Sequence, residues 1–203
     1  MTIDAYGTLV ALRDPTPRLR RALVAEGVVR TDDEVRTAFA AEVDFYGERS
    51  HEGRDEETLA LLRRDCTAVF LAAVRAELDP DAFVPAFLGS LVFEEVAGAG
   101  AACRALARRG LRLAVVSNWD VGLHDHLDAL GLTALVDAVV TSAEAGAPKP
   151  APRVFELALE RLGAAARRAV HVGDAESDAE GARAAGLRFE PAPLADAAAR
   201  ILA

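Results

Sequence analysis

Some residue types are nearly missing from this chain. It has one lysine, one asparagine, no glutamine, two isoleucines, two tyrosines and two cysteines. Cys66 and Cys103 stand far apart and match no metal-ligand spacing, so they read as reduced, buried thiols rather than a disulfide framework or a zinc site. No apolar run approaches the ~20 residues needed to cross a bilayer. No basic, leucine-rich leader precedes Asp4. The expectation is a soluble, cytoplasmic protein with no membrane partner. Positive charge is also in deficit, with 23 Lys and Arg against 32 Asp and Glu, a net −9. Because the excess is spread along the chain, it disfavours nucleic acid as a partner and leaves small molecules open.

Of the 23 basic residues only Lys149 is lysine; the other 22 are arginine. We read the bias as that of a GC-rich coding sequence, for which strong third-position GC is the matching expectation. Residues that survive such a drift mark positions where a substitute fails. A site needing a compact ammonium cannot accept a broad planar guanidinium, so Lys149 stands out. Asn118, Tyr6 and Tyr46 stand out for the same reason.

With 203 residues and 52% hydrophobic composition, the chain can bury one core and a smaller subdomain. From residue 99 onward, helical patterns end at glycine and are followed by short apolar runs. "GAACRALARRG" precedes "LRLAVVS", "DHLDALG" precedes "VDAVVTS", "RVFELALERLG" precedes "AVHVG", and "AEGARAAG" precedes "LRFE". Glycine suits the position just past a helix. Near-continuous apolar strands separated by helices predict an α/β core with a doubly wound parallel sheet, Rossmann-like, covered on both faces. Its first strand is "TIDA", and the tail after Pro191 reads as a final helix. Residues 15–88 instead show apolar residues three and four apart, predicting an all-helical inserted subdomain with starts at Thr31-Asp32 and Asp55. The core is then 1–14 together with 89–203.

Open parallel sheets bind ligands beyond the carboxyl ends of their strands. The residues there are Asp4 and Thr8, Ser117 and Asn118, Lys149 in the loop after the third strand, and Gly173-Asp174 with Asp178. Each has an ordinary explanation: a turn former, a helix cap, an exposed lysine, or Ser177 with Glu180 as a capping box. Together they fall on one rim in an order that makes chemical sense. Asp4 can serve as a carboxylate nucleophile. Asp174 and Asp178, four apart at a helix start, can share a face and hold magnesium through oxygen ligands. Lys149 and the Ser117 hydroxyl can steady a substrate's negative oxygens.

These motifs, "DAYGT", "SN", "KP" and "GDAESD", resemble in order and separation those of the haloacid dehalogenase superfamily of hydrolases, and the resemblance covers essentially the whole chain. "SNWD", "KPAPRVF" and "HVGDAESDAEGARAAG" look most like its phosphatase-like members with a helical cap. The resemblance implies that Asp4 is the nucleophile and that Ser117, Asn118 and Lys149 bind the transferred group. It also implies that Asp4, Asp174 and the main-chain carbonyl of Tyr6 hold Mg2+, with Thr8 in the catalytic set and Asp178 in support. The implied substrate is a small phosphorylated metabolite, and the helical insert becomes a cap.

One position departs from that pattern. Phosphatases of the family resemble one another in a second aspartate two residues after the nucleophile, as general acid and base; here Tyr6 stands there. A phenol with a reference pKa of ~10 is a poor base at neutral pH. Losing a positioned acid-base group typically costs ~10² to 10⁴ in rate. Members that cleave carbon–halogen bonds also resemble "DAYGTL", and a departing halide needs no proton. Against them, they have small polar residues where this chain has Gly173-Asp174, and a tyrosine where it has Phe155. Electrostatics favours the phosphatase, since two carboxylates ~4 Å apart repel by ~4 kcal/mol at an effective dielectric of 20 and one lysine cannot neutralise three. A 2-haloacid dehalogenase and a catalytically weak binding protein of the same fold stay open as alternatives.

Elsewhere the sequence is quieter. Tyr46, Arg49, His51 and Arg54 cluster between two helices and read as a solvated helix end. His124 and His126, two apart on a helix, point in different directions. His171, inside an apolar strand, reads as a hydrogen-bonded core histidine, and Trp119 as either a pocket wall or a cover for the sheet edge.

Overall fold

The computed structural model describes residues 1–203. The chain begins with β1 (Thr2–Ile3), turns through Gly7, and enters β2 (Val10–Leu12). Four helices follow: α1 (Thr16–Ala25), α2 (Asp32–Arg49), α3 (Glu56–Ala73) and α4 (Pro80–Ser90). After β3 (Phe93–Glu95), helices and strands alternate: α5 (Ala99–Arg108), β4 (Ala114–Ser117), α6 (Leu123–Ala129), β5 (Ala138–Thr141). Then come α7 (Ser142–Ala145), α8 (Arg153–Leu162), β6 (Val170–Gly173), α9 (Glu176–Ala184), β7 (Arg188–Pro191) and α10 (Leu194–Leu202).

The chain divides into two compact units, one of residues 1–11 and 94–203, the other of residues 12–93. The division falls inside the two-stranded pair β2–β3, which the sequence pattern did not reveal.

In the first unit a five-stranded sheet runs in the order β5-β4-β1-β6-β7, with every recorded pairing parallel. β1 is central although it is only two residues long, and it pairs with β4 on one side and β6 on the other. The strand is shorter than "TIDA" suggests. The Asp4 N–H still reaches the Val172 carbonyl (2.8 Å), but Ala5 to Gly7 already turn. The flanking strands "AVVS" and "VHVG" are buried throughout, as expected of a sheet covered on both faces. One face packs Val116, Val140, Phe155, Leu159 and Leu162 into a continuous apolar cluster.

The second unit is held by its own core, with Leu19, Leu23, Val35, Phe70, Leu71, Phe83 and Phe87 packed between α1, α2, α3 and α4. Thr31 starts α2 with a capping box closed by Glu34, and Asp55 starts α3 with Thr58. No helix is long and apolar enough to cross a membrane.

Candidate active site

The carboxyl ends of β1, β4 and β6 place their polar residues side by side, because parallel strands in register end on the same edge. Asp4 follows β1 and is buried. Both its protein partners take the same oxygen: Lys149 Nζ donates to Oδ1 at 2.6 Å and Ser117 Oγ donates to Oδ1 at 3.2 Å. Oδ2 is left as the oxygen not held by a protein donor.

Lys149 is 6% exposed, and its ammonium meets three acceptors: Asp4 Oδ1, Asp178 Oδ1 at 2.5 Å and the Val116 carbonyl at 3.3 Å. Three donors on a compact head meet three acceptors, an arrangement a planar guanidinium does not reproduce. Burial would lower the Lys149 pKa, but the two carboxylates outweigh it and raise it. Asn118, expected to contact substrate, spends both ends of its amide on the backbone of Lys149, accepting from its N–H (2.6 Å) and donating to its carbonyl (3.1 Å). It thereby clamps the loop that carries the lysine.

Asp178 has no exposed surface. Its Oδ1 accepts from Lys149 and from His171 Nε2 (2.9 Å), while Oδ2 accepts from the Ala175 N–H (3.1 Å). Asp178 itself therefore makes the capping contact at the start of α9, and not the Ser177 and Glu180 pair that was the ordinary alternative. Burial pushes its carboxyl up, yet the His171 hydrogen bond and the Lys149 charge together hold it down at about 2. Asp4 goes the other way: burial dominates, Lys149 only partly offsets it, and the neighbouring carboxylates help raise it to about 6.

Asp174 is exposed and accepts from the buried Thr8 hydroxyl at 3.4 Å. It lies before α9, so Asp174 and Asp178 do not share a helix face as the four-residue spacing suggested. They nevertheless converge: Asp4, Asp174 and Asp178 each offer an oxygen within 4.8 Å of the others. Two glycines make the convergence possible. Gly7 has φ +79°, and any Cβ there would strike the Asp174 carboxylate; a Cβ on Gly173 would strike Asp178. The donor set, carboxylates alone, suits a hard cation such as Mg2+.

Tyr6, at the position of greatest interest, is 52% exposed. Its ring lies 6.4 Å from that of Trp119, tilted by 55°. Trp119 is buried, its backbone tied to Ser142 at the end of β5, so it backs Tyr6 and is not itself an open surface. His126 lies 5.8 Å from the indole, tilted by 58°, whereas His124 meets Glu144. In the helical unit Arg49 is engaged by Glu52 and lies over Phe45. Cys66 and Cys103 are buried thiols outside any disulfide.

His171 is where sequence reasoning stopped short. It is a buried, hydrogen-bonded histidine, but its bonds run from Thr2 Oγ1 (2.9 Å at Nδ1) to Asp178 (at Nε2), which ties it to the carboxylate network. The available signal was a single polar residue inside "AVHVG", two positions before Gly173.

The chain is thus an α/β protein whose parallel sheet carries a carboxylate cluster and one buried lysine at its carboxyl edge, with a helical unit inserted after β2. The model of the haloacid dehalogenase-like hydrolase family matches residues 1–186, and the chain belongs to that family. It is 34% identical over 204 residues to haloacid dehalogenase-like hydrolase domain-containing protein 3 of Mus musculus, covering 92% of this chain and 78% of the mouse protein. Against some curated relatives the match spans less than half their length. Ribulose-1,5-bisphosphate 5-phosphatase of Halopiger xanaduensis is 42% identical over 97 residues, covering 45% of this chain and 41% of that protein. Among solved structures, an L-2-haloacid dehalogenase superposes with a TM-score of 0.74 at 20% identity, over 100% of this chain and 97% of that one, a likeness of fold.

Proposed function

We propose that this chain is a Mg2+-dependent phosphatase acting on a small phosphorylated metabolite through an aspartyl-phosphate on Asp4. The observation that carries the reading is the charge balance: three carboxylates converge within 4.8 Å, and the one cation among them is Lys149. An anionic substrate would enter a site already short of positive charge. Asp4, Asp174 and the Tyr6 carbonyl would hold Mg2+. When bound, the cation offsets the carboxylates and draws electron density from the phosphoryl oxygens. Asp178, consumed on both oxygens, positions Lys149 and is not a ligand in this reading.

Asp4 attacks phosphorus through Oδ2, while Lys149 and Ser117 hold Oδ1 and fix the carboxylate's orientation. The Lys149 charge, held against Asp4, would offset the negative charge that the phosphoryl oxygens bring. Water then releases phosphate and restores the carboxylate. The names of the phosphatases among the relatives support this chemistry. A dehalogenase reading draws on Tyr6. Against it, Phe155 is fully buried edge-on to His171 (4.9 Å, 86°) and brings no hydroxyl to the rim.

The test is phosphate release from p-nitrophenyl phosphate by wild type and Asp4→Asn. The variant should lose at least ~10³-fold, within the range seen when a nucleophile is removed, and a chelator should silence the wild type. Unchanged activity in Asp4→Asn removes the nucleophile. Halide released from 2-chloropropionate in the presence of chelator turns the reading to dehalogenation, and no turnover of either leaves a binding protein.

A further inference from the structure

Few groups on this rim have a proton to give. Lys149 is buried between two carboxylates and a carbonyl. Asp178 has both oxygens occupied and no exposure. His171 is sealed between Thr2, Asp178 and the edge of Phe155, and burial lowers its pKa. Asp174, the exposed carboxylate, belongs to the oxygen cluster suited to the cation. The bonded network around Asp4 thus offers no spare acid to a departing group. An alcohol is about as weak an acid as water, whose pKa is ~15.7. Expelling its alkoxide without help forgoes ~10² to 10⁴ in rate. A phenol, at ~10, leaves far more readily as its anion.

The second observation is independent of protons. Two residues from the nucleophile stands an aromatic ring that is 52% exposed, while Trp119 and Phe155 in the same unit are buried. That ring does not hang free in solvent: Trp119 supports it, and the indole is tied through Ser142 and flanked by His126. A half-exposed aromatic side chain backed by a buried one is suited to a planar, unsaturated body stacking or tilting against it.

We infer that this site takes phosphate monoesters of phenols, whose phenolate leaves without a proton from the protein while the ring lies against Tyr6. This rests on the aspartyl-phosphate reading given above. In the first step the Asp4 Oδ2–P bond forms as the P–O(aryl) bond breaks. The bonding pair goes to the phenolate oxygen, which takes its proton from solvent. In the second step water adds to phosphorus, the P–O bond to Asp4 breaks with its pair returning to the carboxylate, and the water proton stays with phosphate or solvent.

The experiment measures kcat/KM for phosphate release by the full chain with Mg2+ over a graded series of substituted phenyl phosphates, with benzyl phosphate and an alkyl phosphate added. Benzyl phosphate keeps the ring but leaves as an alcohol. kcat/KM should fall steeply as the phenol becomes more basic, with benzyl and alkyl phosphates at least ~10²-fold below phenyl phosphate, the lower bound for a missing acid. Benzyl phosphate should keep a KM near that of phenyl phosphate, whereas the alkyl ester's is higher. Tyr6→Asp should flatten the series by raising the alkyl and benzyl rates, and Tyr6→Leu should raise KM for the two ring-bearing esters while barely moving that of the alkyl ester. A flat series in the wild type overturns the inference, because the protein is then supplying the proton. A Tyr6→Leu variant with unchanged KM values removes the aromatic contact. If even the most activated aryl ester yields no phosphate, the phosphatase reading itself has failed.

Discussion

The two units differ in how several of their buried polar groups are bonded. In the helical unit the bonds of buried Thr67 and Ser90 are local: each hydroxyl donates to the carbonyl four residues back, to Arg63 and Ala86. In the α/β unit, although Asp120 and Thr141 bond locally, those around the site span the chain. Ser117 reaches Asp4 across 113 positions, Lys149 reaches it across 145, and Thr2 meets His171 across 169. A local bond satisfies a helix without requiring any partner element, whereas a long-range one forms only when the whole sheet is assembled. Burial of charge follows the same division. The α/β unit encloses Asp4, Lys149 and Asp178 together, while the helical unit encloses one carboxylate, Glu42, with Cys66 as its hydrogen-bond partner.

Lys149→Met is the strongest way to break this contrast. It leaves Asp4 and Asp178 buried without their cation, and loss of one partner from such a set costs about 3–5 kcal/mol. Thermal or denaturant unfolding at neutral pH should show that loss along with loss of activity, and Lys149→Arg should recover neither. If Lys149→Arg is stable and active, the three-acceptor fit of the ammonium is not what retains lysine here.

Glu42 tests the other unit. Burial raises its carboxyl from the usual 4.5 to about 7, against a Cys66 hydrogen bond that pulls it down. The group binds a proton more tightly folded than unfolded. Its contribution is therefore complete below about 4.5 and is lost as pH rises through about 7. Glu42→Gln removes the titration. Its unfolding should match wild type near pH 4.5 and exceed it by up to ~3 kcal/mol at pH 8, at ~1.4 kcal/mol per pKa unit. A gap that does not grow with pH shows that the carboxyl is solvated.

The smallest effect is expected where the bond is most local. Thr31→Ala removes the N-cap of α2 and should cost ~1 kcal/mol in unfolding free energy, with no change in phosphate release.

The helical unit was largely legible in the sequence for the reason this comparison gives. Its capping residues at Thr31 and Asp55 act within three positions, and its core follows helical spacing. The βα order of the other unit was legible too, since glycines close its helices and apolar runs mark its strands. The β2–β3 pair was not, because each strand is three residues long and the partners lie about eighty positions apart. Asn118 showed its scarcity but not its task, since the backbone it clamps belongs to a loop thirty-one residues away.

What the amino-acid order determined by itself is the set of residues at the rim: Asp4 and Asp174 follow β1 and β6, Ser117 ends β4, Lys149 lies beyond β5 and the short α7, and parallel strands end on one edge. Only the tertiary structure decided how they share charge. That Lys149 and Ser117 take the same oxygen of Asp4, that Asp178 is sealed and bound to His171 while Asp174 is open, and that Trp119 supports an exposed Tyr6 all depend on distances set by the order β5-β4-β1-β6-β7. Periodicity and spacing report on neighbours within a few turns. Hydrogen bonding and burial depend on which distant strand lies alongside.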